Sequence, residues 1–347
     1  MSEKVCLPAL SICVAIYNVE KYLDECLSSL VKIRNENIEF ILVNDGSTDN
    51  SLVICENYLK KDRRFKLISH PNNKTLIQAR KTGIEIASGD YILFLDGDDK
   101  INPVNLDTLL SILKKDKSDI IQFEVCCFGN ENYYLKNYIE HFKIKNNSKT
   151  FDLRSIRLEI FYNHSIPWNV FNKVYKTSIA KQAANYIGLL KFTSGEDAFI
   201  TFVITHLATS YSSSPLQVYC YRLGTGISNG KETIEKFSIH TGDLRIPLLL
   251  KNSFSNNRNE EFDTIAIEQL DSSLKELTVK RFWKLDIKDK YLGLNLLRQE
   301  RLSYVDFFKK TILIIIKFIS LSVFPVGSKR RNYLKNFILK RLYYLKT

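Results

Sequence analysis

Three short acidic motifs in this chain carry side chains that could bind a charged ligand or take up a proton. The first is residues 44–49 (NDGSTD), directly after an apolar run. A carboxylate at that place, such as Asp45, can accept a hydrogen bond from the N–H group of a nucleobase. A turn followed by a helix cap explains the same residues without any ligand.

The second motif is residues 96–99 (DGDD), which also follows an apolar run. Three carboxylates within four residues repel one another unless a cation or hydroxyl donors meet them. Carboxylate oxygens are the ligands that Mg²⁺ and Mn²⁺ prefer, so the motif indicates a divalent metal site. A solvated strand end is the alternative.

The third motif is Glu196-Asp197, which leads into the apolar residues 198–200. A carboxylate here could act as a general base, a role typically worth roughly 100- to 10,000-fold in rate. It could equally be an acidic residue in the first turn of a helix, where the helix dipole favours negative charge. Arg80 is a further candidate, because its guanidinium could bind a diphosphate or pair with an acid.

The elements around these motifs alternate between strands and helices. Apolar runs predict strands at residues 10–16, 39–43, 65–69 and 90–95, and helical spacing predicts helices between them, at 20–31, after 47–49 and at 75–87. This alternation predicts an α/β fold with a mostly parallel sheet and helices on both faces. Ligands bind such sheets at the carboxyl ends of the strands, and the polar residues after strands one, two and four fall there.

The later part of the chain is less regular. We predict a helix at 106–114, a strand at 119–125, a polar loop at 129–150 and polar-faced helices from 231 to 297. The resulting domain prediction is an α/β domain at 1–230, with halves at 1–100 and 101–230. A helical extension at 231–300 and a basic amphipathic tail at 301–347 follow.

Composition and charge exclude several classes of protein. The chain has 347 residues, 45% of them hydrophobic, with 13 Gly and 7 Pro, so it is neither disordered nor collagen-like. Of the net charge of +12, residues 301–347 contribute +10, from eleven Lys or Arg against one acid. A nucleic-acid binder would carry its basic surface on the folded domain, so we expect no nucleic-acid partner.

The tail predicts contact with an anionic membrane surface. Its most apolar stretch, residues 311–326, is interrupted by Lys317 and is shorter than the roughly 18 uncharged residues that a spanning helix needs. A helix that lies on the membrane fits better. We see no secretory signal at the N-terminus, so the expected location is cytoplasmic, peripherally bound to the inner face of the cell membrane.

The seven cysteines form neither a CxxC pair nor a Cys/His metal spacing, and they lie at positions 6, 13, 26, 55, 126, 127 and 220. An odd and scattered set predicts reduced cysteines in the core of a cytosolic protein.

Taken together, the motifs resemble one enzyme family. The segments LSICVAIYNVEKYLDECLSSL, FILVNDGSTDNS, NNKTLIQARKTGIEIASGDYILFLDGDD and SGEDAFITF stand in the order and spacing of the family 2 inverting glycosyltransferases of the GT-A fold, which build bacterial capsule, O-antigen and lipooligosaccharide. The resemblance is dense over residues 9–100 and continues more thinly to about 230, through the Pro167-Trp168-Asn169 and Asn172–Tyr175 motifs and Tyr221-Arg222. The loop 73–77 departs from the pattern, since it lacks the glycine and small residues often found there.

The resemblance implies that the domain at 1–230 is catalytic, with a nucleotide-sugar-binding half at 1–100 and an acceptor-side half at 101–230. It also implies a role for each matched residue. Asp45 would bind the base, usually uracil; Asp96 would hold the ribose; and Asp98, with Asp96, would ligate Mn²⁺ or Mg²⁺. Asp197 would be the catalytic base with Glu196 beside it. The remaining donor-binding positions would be Ala15, Tyr17, Asn18, Glu20, Arg80 and Gly97.

The implied reaction is the transfer of a sugar from a UDP-sugar to a hydroxyl of a glycan or lipid-linked glycan, with inversion to a β-linkage. Two alternatives remain open, namely a sugar-nucleotide pyrophosphorylase and a non-catalytic, membrane-bound scaffold that binds nucleotides. A pyrophosphorylase would need a basic, Gly-rich loop after the first strand, where this chain has residues 17–20 (YNVE). No GxGxxG motif follows an early strand, which disfavours a dinucleotide-binding oxidoreductase.

Overall fold

The computed structural model describes residues 7–129, 142–144, 153–192, 194–224, 231–254, 260–300, 302–303, 305–312 and 314. The chain divides into two compact units, Met1–Gly230 with Ser253–Ala266, and Lys231–Asn252 with Ile267–Thr347. Most of the predicted loop at 129–150 and most of the predicted tail at 301–347 lie outside the described residues.

The first unit is built on one sheet. Within the described residues the sheet has eight strands in the order β3-β2-β1-β4-β7-β6-β8-β5. Their bounds are β1 Leu10–Ile16, β2 Ile38–Asn44, β3 Phe65–Ser69, β4 Tyr91–Asp96, β5 Lys100–Ile101, β6 Ile120–Gly129, β7 Lys173–Lys176 and β8 Tyr211–Leu223.

The predicted parallel arrangement is confirmed for the first half of the sheet, where β1 pairs with β2 and β4, and β2 pairs with β3. The second half is mixed, because β7 runs antiparallel to both β4 and β6, whereas β6 and β8 are parallel. Sequence analysis missed β7 and β8. The segment 212–215 (SSSP) of β8 resembles a loop, yet residues 212–214 pair with β6 and the register shifts after Ser214.

The helices of the described residues alternate with these strands and then continue without strands. Their bounds are α1 Glu20–Val31, α2 Ser51–Lys61, α3 Leu76–Ile86, α4 Leu106–Lys115, α5 Leu153–Phe161, α6 Thr177–Ile187, α7 Glu196–Leu207, α8 Ile234–Thr241, α9 Ile246–Phe254, α10 Glu260–Lys284 and α11 Lys290–Gln299.

The sheet is covered on both faces, as a strand with every residue buried requires. All of β1 is buried, and Ile12 and Val14 pack into the same core cluster as the apolar side of α1. The intervening Cys13 faces α3, where Gly83 allows a close approach: a Cβ at Gly83 would lie 1.8 Å from the Cys13 Sγ. Helix α3 therefore packs directly on β1.

The expectation that all cysteines are reduced is wrong for one pair. Cys126 of β6 and Cys220 of β8 are direct partners in the parallel register, with their Cα atoms 4.5 Å apart, and they form a disulfide. The pairing joins residues 94 positions apart, so spacing along the chain does not reveal it. Cys13, Cys26 and Cys55 are free and buried, as predicted for core cysteines.

The described part of the second unit is helical, as predicted for residues 231–297. Its core cluster includes Phe237 of α8, Val279 and Phe282 of α10, and Leu297 of α11. A surface ion pair between Arg245 and Glu300 joins two of its segments. In the part of the chain that the structure describes, no helix combines the length and the apolar character needed to cross a membrane.

Candidate active site

The predicted polar edge of the sheet exists, and the strand register assembles it. Ile16, the last residue of β1, is the register partner of Asn44 in β2, and Ala15 is the partner of Asp96 in β4. The Asp45 N–H donates to the Ile16 carbonyl (2.8 Å), so the three strands end side by side. The acidic motifs 44–49 and 96–99 are therefore neighbours in space.

The loops that follow β1 and β2 hold each other through side-chain hydrogen bonds. The Asn18 side-chain oxygen accepts from the Thr48 N–H at 2.8 Å, and the Glu20 carboxylate accepts from the Asn50 N–H at 2.9 Å. Tyr17 precedes Asn18 and has 46% of its surface exposed, while Ala15 is buried beside Asp96. The Asn18 and Glu20 side chains thus hold residues 15–20, the rim of the polar edge, against the loop that follows β2. The exposed Tyr17 ring is available to stack on a planar ligand.

Asp45 is buried directly behind this rim. Its Oδ1 accepts from the His70 Nδ1 at 2.6 Å and from the Lys74 backbone N–H at 2.9 Å. Its Oδ2 is also buried and has no partner among the described residues. Such an acceptor suits a donor N–H from a ligand, since a buried polar atom without a partner costs free energy.

Arg80 joins the second and third acidic motifs. Its buried guanidinium donates through NH2 to Asp96 (3.1 Å), and through NH1 to Asp197 (2.5 Å) and Glu196 (3.3 Å). The sequence left diphosphate binding and pairing with acids open for Arg80; the structure shows the ion pairs, and diphosphate binding stays a prediction. Arg80 thereby ties the end of β4 to the first turn of α7.

Glu196 and Asp197 begin helix α7 directly after Gly195, whose φ of +72° turns the chain into the helix. The Asp197 side chain keeps 23% of its surface exposed, so a substrate can reach it. Burial of the carboxyl, together with the charge of Asp96, raises the pKa of Asp197, while the Arg80 cation acts in the opposite direction. A raised pKa brings this carboxylate closer to the basicity that a general base needs.

The three acids of the motif 96–99 have separate surroundings. Asp96 lies against Arg80, whereas Asp99 is buried and accepts from the Tyr219 hydroxyl (2.5 Å) and the Arg222 N–H (2.6 Å). Burial and the charges of Asp96 and Asp98 raise the pKa of Asp99 to about 8. Asp99 therefore anchors the motif to β8, and only Asp96 and Asp98 remain as metal-ligand candidates.

The described residues include no cluster of three or more His, Cys, Asp or Glu side chains placed to hold a metal ion. Two carboxylates nevertheless fit a Mg²⁺ or Mn²⁺ ion that binds together with a nucleotide, because such ions take one or two carboxylates and complete their shell with phosphate oxygens and water. Asp98 and Asp96, two residues apart at the sheet edge, are of that type.

Sequence analysis did not find the role of Lys173 in the Asn172–Tyr175 motif. Its buried ammonium donates to the carbonyls of Pro167 (2.9 Å) and Asn169 (2.7 Å) and to the Asn172 side chain (3.0 Å). Burial lowers the pKa of Lys173 to about 7, and Asp197 opposes this shift. Lys173 thus holds the Pro167-Trp168-Asn169 loop in place, which accounts for two motifs whose purpose the sequence left open.

The loop 73–77, which departs from the family pattern, contains a strained backbone residue. Thr75 has φ of +86° and ψ of +156°, a region that residues other than glycine rarely adopt. Its hydroxyl is buried and has no partner among the described residues. A glycine at this position would meet the same conformation without strain.

Comparisons with known proteins address the family and the fold. The family model for glycosyl transferase family 2 matches residues 11–186. The putative glycosyltransferase EpsH of Bacillus subtilis is 29% identical over 271 residues, covering 75% of this chain and 74% of EpsH. The minor teichoic acid biosynthesis protein GgaB of the same organism is 27% identical over 319 residues, covering 88% of this chain but only 33% of GgaB.

Among solved structures, S. aureus TarS 1–349 in complex with UDP matches with a TM-score of 0.57 and 20% identity, covering 94% of this chain and 87% of that one. At this identity the match shows the fold alone, which is the GT-A arrangement expected from the motifs. The family match spans half of the chain, including the motifs at 44–49 and 96–99. The chain therefore belongs to glycosyl transferase family 2, and it is a glycosyltransferase.

Proposed function

We propose that this glycosyltransferase moves a sugar from a UDP-sugar to a hydroxyl of a growing surface glycan, such as capsule, O-antigen or lipooligosaccharide, and that it inverts the anomeric centre. The observation that carries the proposal is the junction at Arg80, which places a partly exposed carboxylate, Asp197, beside Asp96 at the nucleotide edge of the sheet. This neighbourhood supports a catalytic base next to a donor site.

In the proposed reaction Asp197 takes the proton of the acceptor hydroxyl, and the acceptor oxygen forms a bond to the anomeric carbon. The bond from that carbon to the diphosphate oxygen breaks, and its electron pair leaves with UDP. A single in-line displacement converts an α-linked donor into a β-glycoside. Arg80 holds the Asp197 carboxylate in position for this proton transfer, with Glu196 on the same guanidinium.

The donor would lie along the sheet edge. Its base would meet the unpartnered Oδ2 of Asp45, beside the rim formed by Ala15, Tyr17, Asn18 and Glu20, and its ribose would reach Asp96 and Gly97. Asp98, with Asp96, would hold Mn²⁺ or Mg²⁺, an ion that neutralises charge on a diphosphate when bound. The TarS complex with UDP supports a uridine nucleotide as the donor, and GgaB supports a surface polymer as the product.

The test is a panel of UDP-sugars assayed for hydrolysis and transfer by the full chain and by Asp197→Asn. The variant is nearly isosteric but cannot take a proton, so transfer should fall by roughly 100-fold or more while UDP affinity changes little. Asp90→Asn is the matched control, because Asp90 is an exposed acid at the opposite end of β4. Transfer by Asp197→Asn within a few-fold of the parent would refute the base, and release of pyrophosphate instead of UDP would favour a pyrophosphorylase.

We also propose that the C-terminal part of the chain meets an anionic membrane surface. Three apolar side chains near the end of the described chain are at least half exposed, namely Trp283, Phe308 and Ile312. The Trp283 indole N–H donates to the Thr311 hydroxyl at 3.2 Å, so Trp283 contacts this C-terminal segment. Lys290 lies over the Trp283 ring at 4.6 Å. Aromatic side chains next to cations favour the lipid–water interface, and residues 313–347 add eight Lys or Arg and no acid.

This second proposal has a direct optical test, since the chain has two tryptophans, Trp168 and Trp283. In the Trp168→Phe variant, vesicles with anionic lipid should shift the Trp283 emission to the blue, and brominated lipid should quench it. Zwitterionic vesicles should do so less, because each basic residue near an anionic surface adds about 1 kcal/mol. Unchanged emission with anionic vesicles would contradict the proposal, and Trp283→Phe controls for the signal of Trp168.

A further inference from the structure

His70 is a buried side chain at the nucleotide edge that the reaction above does not use. It is the first residue after β3, next to the end of β2 where Asp45 lies, and both side chains are buried. The His70 backbone N–H donates to the Asn44 carbonyl at 2.9 Å, which continues the ladder between β2 and β3. His70 therefore occupies the same sheet edge as the acidic motifs, behind the donor site.

The hydrogen bonds around the imidazole determine which ring nitrogen carries its proton. Nδ1 lies 2.6 Å from the Asp45 Oδ1, and Nε2 lies 2.9 Å from the Thr82 hydroxyl. An ionised carboxylate oxygen can only accept, so we assign the N–H to Nδ1. In the neutral ring, the Thr82 hydroxyl then donates to Nε2, so both ring nitrogens have a partner and the ring is held from both sides.

These contacts leave Asp45 with one oxygen to offer. Oδ1 is held by His70 and by the Lys74 N–H, and the loop that supplies this N–H packs so closely that a Cβ at Gly46 would lie 2.5 Å from the Asn72 carbonyl carbon. Oδ2 is buried and unpartnered among the described residues. With Oδ1 held at two points, the carboxylate cannot rotate to exchange its two oxygens.

We propose that His70 is a positioning residue that, with Thr82, fixes the Asp45 carboxylate so that Oδ2 selects a nucleobase carrying a ring N–H, which makes this pair a determinant of uracil specificity. The inference rests on the proposed binding of the donor base by Asp45. Uracil presents an N3–H donor, which the carboxylate accepts. Cytosine presents a lone pair at the same place, which the carboxylate repels.

The test compares binding of UDP, 3-methyl-UDP and CDP to the full chain by titration calorimetry. 3-Methyl-UDP has a methyl group in place of the N3–H and cannot donate to the carboxylate, so the parent should bind it about tenfold or more weakly than UDP, as expected for the loss of a hydrogen bond to a charged group. The ratio of the two dissociation constants reports on the contact at N3, because the diphosphate and the ribose are the same in both ligands. CDP lacks the N3–H without an added methyl group, so weak binding of CDP as well separates the lost hydrogen bond from the bulk of the methyl group.

Two variants of His70 distinguish the roles of its two ring nitrogens. The amide nitrogen of His70→Asn stands near the place of Nδ1, so this variant should keep most of the preference for UDP over 3-methyl-UDP. The amide of His70→Gln reaches the place of Nε2 and leaves Asp45 Oδ1, so its preference should fall to about two- to threefold. In transfer assays, His70→Gln should raise the donor KM with kcat within about twofold of the parent, since the base takes no part in bond breaking.

The outcomes separate this inference from the function on which it rests. If His70→Gln is folded and keeps the parental ratio, His70 only fills space and the inference fails. If Asp45→Asn also keeps the ratio, the base is bound elsewhere and the proposed donor site itself fails. Should His70→Gln not fold, Thr82→Val decides: it should lower the ratio by about threefold, and an unchanged ratio would overturn the inference.

Discussion

Replacing Arg80 with methionine removes the cation that the structure places against Asp96, Glu196 and Asp197. Removing one partner of a buried ion pair typically costs about 3 to 5 kcal/mol, because a charge is left uncompensated in the interior. Arg80 is 2% exposed, but Asp96 and Asp197 are 28% and 23% exposed and water screens part of their charge. We therefore expect Arg80→Met to lower the free energy of unfolding by about 3 kcal/mol.

The same variant should change the pH dependence of transfer. The Arg80 charge lowers the pKa of Asp197, whereas burial and Asp96 raise it. Without Arg80 the pKa of Asp197 rises further above its ordinary value of 3.8. Since a base must be ionised to take a proton, activity is lost as the pH falls through this pKa, and the acidic limb of kcat/KM moves to higher pH.

The assay pairs urea unfolding with a pH profile of donor hydrolysis. Arg80→Lys is the control: it keeps the charge, but its single ammonium cannot reproduce the fork whose two NH groups reach Asp197 and Asp96. The double variant Arg80→Met/Asp197→Asn should be less destabilised than the sum of its single variants, by about 1 kcal/mol or more. A loss below about 1 kcal/mol in Arg80→Met, together with an unmoved acidic limb, would refute the reasoning.

Three further changes test separate parts of the structure. In the parent, EDTA should remove the activity and Mn²⁺ or Mg²⁺ should restore it, whereas Asp98→Asn should lack this metal-dependent activity. Full activity of the variant in EDTA would contradict the metal assignment. Thr75→Gly should raise the free energy of unfolding by about 1 kcal/mol in urea by relieving a positive φ, whereas Thr75→Ala should not. Cys126→Ser should lower it by about 2 to 4 kcal/mol under non-reducing conditions, and absence of a linked Cys126–Cys220 peptide in a non-reducing digest would contradict the disulfide.

The first half of the fold could be predicted from the sequence because its signals are local. The runs at 10–16 and 65–69 become strands with those same bounds, and α1 and α3 fall where helical spacing puts them. Strands that are buried on both faces need continuous apolar runs, so their ends are visible in the sequence. The polar residues after those ends mark the polar edge of the sheet, and their joint order indicates the enzyme family.

The second half could not be predicted in the same way, because its strands depend on their neighbours. Strand β8 contains residues 212–215 (SSSP), and it becomes a strand through pairing with β6 and β5. The disulfide between Cys126 and Cys220 depends on the same pairing. Such contacts join residues about a hundred positions apart, and no local pattern encodes them.

The sequence by itself determined which side chains could do chemistry here: Asp45, Asp96, Asp98 and Asp197 were all identified from residue type and position. Only the tertiary structure decided what each of them contacts. Arg80 pairs with acids, Asp99 anchors its motif to β8, and His70 holds Asp45. The physical reason is that the residue type determines which chemistry a side chain can perform. A hydrogen bond or an ion pair instead requires atoms about 3 Å apart, and only the packed sheet brings these atoms together.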